Sequence, residues 1–166
     1  MKIDLANPAW QQTLPPARAL AADAPAAASA FNRDGTTVAF ALGDGCVRLL
    51  PADIKAPAPD AVAPLHAGVA LSLASDPTGD GFVSGGDDGR LLRIGADGTA
   101  TELFNQKGKW IEHLAAHRTT GAIAASIGKA AIVVTKDGDK RASKLVFIGR
   151  NLDRENLQRG FDDCLK

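Results

Sequence analysis

The stretch SGGDDGRLLRI at residues 84–94 decides how the middle of this chain folds. It places an Asp-Gly pair, Asp88-Gly89, between two runs that favour strands, Gly81 to Ser84 before the turn and Arg90 to Ile94 after it. Asp-Gly is a preferred hairpin turn because glycine accepts a positive φ at no steric cost. The stretch therefore predicts two antiparallel strands joined by a tight turn.

The same pattern occurs once before this hairpin and once after it. Asp44 occupies the corresponding upstream turn, 44 residues before Asp88, and Gly128 occupies the downstream turn, 40 residues after Asp88. A further predicted strand precedes the second and third hairpins. Besides the two runs already named, the predicted strands are Thr37 to Ala41, Val47 to Leu50, Val69 to Ala74, Trp110 to Ala115, Gly121 to Ser126 and Ala130 to Val134. Periods of ~40–45 residues with several short strands are typical of propeller blades.

Residues 30 to about 137 resemble the WD-repeat β-propeller family. The stretch 84–94 carries the best match, with small residues, the turn aspartate and then a β strand. His66 stands where that family places the histidine of its Gly-His pair, and Asp88 stands where it places the turn aspartate. The resemblance implies a structural hydrogen bond between His66 and Asp88 that fixes the turn, with Asp44 as the equivalent repeat-turn residue.

The resemblance is to an incomplete and degenerate propeller. Leu50-Pro51 and Ile94-Gly95 stand where the family has Trp-Asp, and no glycine precedes His66. Complete propellers need roughly four to eight blades, because each blade buries its faces against its neighbours. About three blades would leave two apolar faces open, and such faces promote association.

The chain changes character at Gly138 to Arg141. A short apolar strand, Lys144 to Gly149, follows, and then an amphipathic helix from Asp153 to Leu165. The segment 144–165, KLVFIGRNLDRENLQRGFDDCL, resembles the extreme C-terminus of CobW-family GTP-dependent metallochaperones. The chain lacks that family's Gly-x-x-x-x-Gly-Lys-Ser/Thr phosphate loop and its cysteine-rich metal motif. The tail therefore predicts no GTPase residue and no zinc ligand.

These observations predict three parts: an Ala/Pro-rich leader at 1–28, a WD-repeat-like propeller fragment at 29–137, and a CobW-like strand and helix at 138–166. The predicted fold class is mainly β, a partial, open β-propeller of about three blades with a C-terminal strand–helix tail. The two resemblances together indicate a natural gene fusion, and the Ala/Pro content is typical of high-GC bacterial genes.

The composition excludes several classes of partner. Nineteen basic and nineteen acidic side chains give a net charge of zero, which provides no electrostatic footprint for nucleic acid or an anionic membrane. The N-terminus lacks the apolar core of a secretory signal, and Cys46 and Cys164 form no C-x-x-C pair. We expect a cytoplasmic protein with no nucleic-acid or membrane partner.

The candidate chemical residues favour structural roles. His66 with Asp88 could serve in metal binding or acid–base work, but the structural hydrogen bond is the favoured interpretation. His113 and His117 have helical i, i+4 spacing for zinc, yet their surroundings predict a strand and a loop. Ser84 and Ser126 lack a Gly-x-Ser-x-Gly elbow. The sequence therefore predicts no catalytic residue, no cofactor and no metal site.

Three functions remain open at this level. The first is a non-enzymatic binding or scaffold module completed by self-association or by a protein partner. The second is a zinc- or metal-homeostasis accessory related to CobW proteins. The third is a fusion product without a function of its own. We expect the first of these, and no enzyme.

Overall fold

The computed structural model describes residues 22–57, 64–136 and 143–148, together with Asp153, Glu155 and Arg159. Eleven strands in these ranges form three antiparallel sheets, named here sheets I, II and III. Sheet I has the order β1-β2-β3, sheet II the order β4-β5-β6-β7, and sheet III the order β11-β10-β9-β8. Within the described ranges, no helix has the length and apolar character needed to cross a bilayer.

The strands are short, and some, such as β8 and β9, alternate between more buried and more exposed positions. They are β1 Ala26–Phe31, β2 Thr37–Leu42, β3 Val47–Pro51, β4 Ala70–Ser75, β5 Phe82–Gly86, β6 Arg90–Ile94, β7 Ala100–Asn105, β8 Leu114–His117, β9 Ala122–Ile127, β10 Ala130–Lys136 and β11 Ser143–Ile148. Side chains on a strand point alternately to its two faces, so every second residue can join a core.

Sheet II lies between the other two sheets and is buried on both faces. One cluster fills the space between sheets I and II and consists of Ala39, Ala41, Val47, Leu49, Ala70, Leu73, Phe82 and Ile94. A second cluster fills the space between sheets II and III and consists of Val83, Leu91, Ile111, Ile123, Ala125, Ile127 and Ile132. All five residues of β5 are buried as a result. The stretch that decides the fold thus occupies the centre of the molecule.

Sheets I and II repeat one another at 44 residues in fine detail. The β1–β2 pair has an irregularity between Ala26 and Ala28, and the β4–β5 pair has one between Ala70 and Ser72. Their hairpin turns also agree, because Gly45 has a φ of 84° and its counterpart Gly89 has a φ of 83°. A shared bulge and a shared turn are stronger evidence of a structural repeat than sequence period alone.

Sheet III follows sheet II at 41 residues in its first two strands. Asp87 N donates to Val69 O at 3.1 Å, and Gly128 N donates to Trp110 O at 3.2 Å in the same way. Gly128 therefore corresponds to Asp87, and the sequence-based alignment of Gly128 with Asp88 is off by one residue. The cause is the turn between β9 and β10, which has two residues where the turn between β5 and β6 has three.

The tail strand belongs to sheet III. β11 pairs antiparallel with β10 over six residue pairs, from Ala131 with Ile148 to Lys136 with Ser143. The strand predicted at Lys144 to Gly149 is therefore the fourth strand of the last sheet. The change of character at residues 138–141 lies between two neighbouring strands of one sheet.

The structure also tests the predicted fold class and the predicted bounds of several elements. The mainly β fold is confirmed, as three antiparallel sheets. Strands β1 and β7 are not predicted by the sequence, and β1 begins at Ala26, inside the segment assigned to the leader. The strand expected at Trp110 begins instead at Leu114. The predicted helix, Asp153 to Leu165, lies outside the described residues except for three positions, of which Glu155 and Arg159 have helical backbone.

Candidate functional site

His66 lies in the connector that carries the chain from sheet I to sheet II. The backbone N–H groups of Leu65 and His66 both donate to the carbonyl oxygen of Gly45, at 3.0 and 3.1 Å. A side chain on Gly45 would collide with the carbonyl oxygens of His66 and Gly68, and its φ of 84° also favours glycine. The glycine beside Asp44 thus allows the connector to rest directly on the β2–β3 turn.

The His66 ring bridges two residues of sheet II. Its Nδ1 atom lies 3.0 Å from Oδ1 of Asp88, and its Nε2 atom lies 2.7 Å from Oγ of Ser84. An ionised carboxylate only accepts hydrogen bonds, so a neutral ring donates from Nδ1 to Asp88 and accepts from the Ser84 hydroxyl at Nε2. The structure therefore brings His66 and Asp88 together and adds Ser84 to the pair.

Asp88 also holds the connector and its own turn. Its Oδ2 accepts from the N–H of Ala67 at 3.0 Å, and its Oδ1 accepts from the N–H of Arg90 at 3.0 Å. Desolvation by partial burial raises the pKa of Asp88, but the hydrogen bonds from Ala67, Arg90 and His66 outweigh it and leave this pKa below its ordinary value. The carboxylate is therefore the centre of three contacts, of which two reach the connector and one lies within the β5–β6 turn.

The two glycines between Ser84 and Asp87 make room for this arrangement. A Cβ on Gly86 would collide with the His66 ring and would lie 2.6 Å from Oδ1 of Asp88. A Cβ on Gly85, on the other face, would meet the Ile111 side chain and would lie 2.6 Å from Oγ of Ser72. The sequence SGG is therefore a packing requirement on both faces of β5. Sequence reasoning missed Ser84, Gly85 and Gly86 as parts of the site.

Ser84, His66 and Asp88 have the connectivity of a Ser-His-Asp triad, with the carboxylate on Nδ1 and the hydroxyl on Nε2. Their burial differs from what nucleophilic catalysis needs. Ser84 is fully buried and His66 is 3% exposed, so a substrate carbonyl has no approach to the hydroxyl. The arrangement suits a buried polar network in which each member satisfies its neighbours. We refer to these three residues as the His–Asp–Ser lock.

Asp44 stabilises its turn in sheet I through one of the hydrogen bonds that Asp88 makes in sheet II. Its Oδ1 accepts from the N–H of Cys46 at 3.0 Å, just as Oδ1 of Asp88 accepts from Arg90. Both contacts span two residues and stabilise the hairpin turn. Burial, followed by the neighbouring Asp44, raises the pKa of the Cys46 thiol, which is therefore not activated.

One family model matches the chain. The model described as the cobalamin synthesis protein cobW C-terminal domain matches residues 83–165, which is half of the chain. The chain belongs to the CobW C-terminal domain family. The match is longer than the tail at 138–166 and begins in β5, so it includes most of sheet II and all of sheet III. No curated protein matches the chain.

The residues that match the CobW C-terminal domain include only two of the three members of the His–Asp–Ser lock. Ser84 and Asp88 lie inside the matched residues, and His66 lies before them. The hydrogen bonds of the lock therefore join the matched part of the chain to the connector that precedes it.

The CobW relationship raises the question of metal binding. Among the residues that the structure describes, no group of three or more His, Cys, Asp or Glu side chains could hold a metal ion. His117 is on β8 and its Nδ1 lies 2.9 Å from Oγ1 of Thr120, whereas His113 precedes that strand. Residues 114–117 form a strand and not a helix, so the i, i+4 spacing does not place the two imidazoles on one helical face.

Proposed function

We propose that this chain is a non-enzymatic protein-binding or scaffold module. In this proposal the three sheets are blades of an open, WD-repeat-like propeller, and a second copy or a partner protein covers the outer blades. The observation that carries the proposal is the difference between sheet II, which is buried on both faces, and sheets I and III, which each pack one face against sheet II.

The outer faces have the character of surfaces that a neighbouring sheet could cover. On sheet I, Val38 and Phe40 lie opposite the core face and are only partly buried. On sheet III, Ala124 is exposed and its strand partner Val133 is partly buried. Val38, Ala124 and Val133 are small or β-branched, and such side chains allow the close approach of another sheet.

The blade interpretation is supported by the repeat. Sheets I and II share a bulge and a turn at 44 residues, and their first strands, β1 and β4, have bounds 44 residues apart and pack against one another. The His–Asp–Ser lock connects the segment that leaves one sheet to the turn of the next. Complete propellers use the same principle of sheets stacked around their first strands.

The absence of an enzymatic role in this proposal rests on accessibility. The histidine and serine that could perform acid–base or nucleophilic chemistry are buried, and the partly buried aspartate is hydrogen-bonded to that histidine. Their hydrogen bonds fix a turn and a connector, which is a complete structural explanation for their positions. Incubation with generic ester substrates should give no turnover that depends on Ser84.

The experiment that tests the module is a change of its outer face. Ala124→Arg places a long charged side chain on the outer face of sheet III, and we expect it to dissociate any self-assembled form. Thr119→Arg adds the same group to an exposed turn of that sheet and should leave the assembly intact. Light scattering after size exclusion reads out both variants. Equal masses for wild type and Ala124→Arg would argue against association through this face.

A second candidate function, a metal-homeostasis accessory, is favoured by the family match alone. It predicts that the purified chain retains stoichiometric Zn²⁺ after equilibrium dialysis, or that it contacts a GTPase partner. Dialysis in which zinc partitions equally inside and outside the membrane would count against direct metal binding.

We further propose that the chain arose as a natural gene fusion of a propeller-like segment with a CobW-like segment. Related genomes that carry a longer propeller gene beside a CobW-like gene would support this origin. The same layout across many genomes would speak for an inherited single architecture.

A further inference from the structure

The junction between sheets II and III has the same backbone arrangement as the junction between sheets I and II. Leu65 N donates to Gly45 O at 3.0 Å in the first junction, and Gln106 N donates to Gly89 O at 2.9 Å in the second. The residues of the two connectors therefore correspond with an offset of 41 residues, which relates Leu65 to Gln106. The same offset relates Val69 to Trp110 and, in the turns, Asp87 to Gly128.

The second junction lacks every member of the His–Asp–Ser lock. Position 107, the counterpart of His66, is Lys107. Ala125 replaces Ser84, because Ala125 pairs with Leu114 as Ser84 pairs with Leu73. The two-residue turn Gly128-Lys129 replaces the three-residue turn that holds Asp88. An attractive His and Asp pair in one junction has thus become two lysines in the other.

Lys107 and Lys129 carry the same charge, so they cannot form an ion pair across the second junction. Lys107, Lys109 and Lys129 are all exposed, and within the described part of the chain none of the three forms an ion pair. Lys109 lies beside the turn, since its Cδ atom is 3.4 Å from the position that a Cβ on Gly128 would occupy. The three lysines therefore belong to the connector and the turn of a single junction.

Trp110 completes this surface. Its carbonyl oxygen accepts from Gly128, which anchors its backbone at the turn, while the residue itself is 56% exposed. An indole that is anchored through its backbone and left in water is the kind of residue that dominates binding energy at interfaces. We call Lys107, Lys109, Trp110 and Lys129 the lysine–tryptophan surface.

Acidic groups beside this surface are already engaged or lie at its border. The backbone of Lys109 approaches Gly89, so the turn with Asp87 and Asp88 is the nearest source of negative charge. Asp87 accepts from Val69 N at 2.9 Å, and Asp88 is bound in the lock. Glu112, two residues after Trp110, is exposed. The positive side chains are therefore available to an external anion.

We propose that the lysine–tryptophan surface binds an acidic segment of a partner protein, with Trp110 receiving an apolar or aromatic side chain of that segment. This inference rests on the proposed binding function and names the chemistry of its partner. Lysines supply electrostatic complementarity and registration, and the indole supplies the apolar anchor. Three cations and one aromatic ring in a chain of zero net charge fall short of the extended basic groove that single-stranded nucleic acid requires.

The test measures binding of a fluorescein-labelled polyglutamate peptide with one central phenylalanine to the full chain. We expect saturable binding that weakens as ionic strength rises, because screening acts on exposed charges. The double variant Lys107→Glu/Lys129→Glu should weaken binding by about tenfold or more, and Trp110→Ala by about fivefold with the salt dependence unchanged. The double variant Lys55→Glu/Arg118→Glu reverses the same number of exposed charges elsewhere and should bind as wild type.

Three results would overturn the inference. They are equal binding of a polylysine peptide with the same central phenylalanine, tighter binding of oligodeoxythymidine than of the acidic peptide, and unchanged affinity in the Lys107→Glu/Lys129→Glu variant. Thermal melts of all variants establish that each is folded. A chain that assembles into a defined oligomer but ignores the acidic peptide would refute this surface and leave the proposed module standing.

Discussion

Nδ1 of His66 lies 3.0 Å from Oδ1 of Asp88, across 22 residues of sequence. The contact joins the connector that leaves sheet I to the turn in the middle of sheet II. Because the same ring reaches Ser84 at 2.7 Å, a single buried imidazole joins the connector both to β5 and to the turn that follows it. Stability, pH response and packing at this point are therefore coupled.

Loss of the imidazole should destabilise the chain. His66→Ala leaves Ser84 and Asp88 without their buried partner and opens a cavity, at a combined cost of about 2–4 kcal/mol in the free energy of unfolding. Urea unfolding followed by circular dichroism measures this change. The matched variant His117→Ala removes an exposed histidine and should change the free energy by less than about 0.5 kcal/mol. Equal midpoints for the two variants would show that the lock contributes nothing.

Asp88 should make the fold sensitive to acid. Its pKa is lowered in the folded state, so its stabilising contribution is fully present above the unfolded-state pKa of about 4 and is lost as pH falls through the lower folded-state value. Asp88→Asn should flatten the dependence of the urea midpoint on pH between about pH 5 and 2.

Two exposed aspartates provide the comparison for this pH series. The Thr99 side-chain hydroxyl lowers the pKa of Asp97, and the Thr36 hydroxyl does the same for Asp34, and both aspartates are exposed. Asp34→Asn and Asp97→Asn should therefore alter the acid response less than Asp88→Asn. A steeper acid response in Asp88→Asn than in wild type would contradict the assignment.

A methyl group at Gly86 should be costly for steric reasons. Gly86→Ala directs a Cβ into the His66 ring and the Asp88 carboxylate, neither of which can move without breaking the lock. We expect a loss of about 2 kcal/mol or more in the free energy of unfolding. Gly35→Ala meets no atom within 4 Å but has a positive φ of 75°, so it reports backbone strain alone, about 1 kcal/mol. A smaller effect at Gly86 than at Gly35 would refute the packing argument.

The tail strand should be part of the folding unit. A chain that ends at residue 148 keeps β11, whereas a chain that ends at residue 136 loses it and exposes the backbone of β10 as a sheet edge. We expect the shorter chain to melt at a lower temperature and to aggregate more readily than the longer one. Indistinguishable melts would mean that β11 adds no stability to sheet III.

Sequence alone predicts the parts of this fold that depend on turns. The Asp-Gly turns mark the hairpins of sheets I and II, and the spacing of Asp44 and Asp88 gives their period. Strand β1 escapes prediction because its sequence, AAASAF, has low strand propensity and is held in the sheet by pairing with β2. Strand β7 escapes because most of its residues are exposed and carry no alternating apolar pattern.

The candidate site could be predicted from the sequence only in part. The resemblance to WD-repeat proteins predicts the pair His66 and Asp88. Ser84, in contrast, lies among small residues, and its sequence context gives no signal of a buried contact. Trp110 lies in the connector before β8 and is 56% exposed, although its position in a run predicted as a strand gives no sign of this exposure. The turn between β9 and β10 is one residue shorter than the turn between β5 and β6. The sequence therefore aligns Gly128 with Asp88, and only the backbone hydrogen bonds show that it corresponds to Asp87.

The solution mass of the purified chain, measured by light scattering after size exclusion over a range of concentrations, tests the central claim most directly. If a second copy covers the outer sheets, as proposed, the chain should form a discrete assembly whose mass is a small multiple of 17.2 kDa. Ala124→Arg should reduce that mass toward a single chain. A monomer of 17.2 kDa at every concentration would contradict completion of the outer sheets by a second copy.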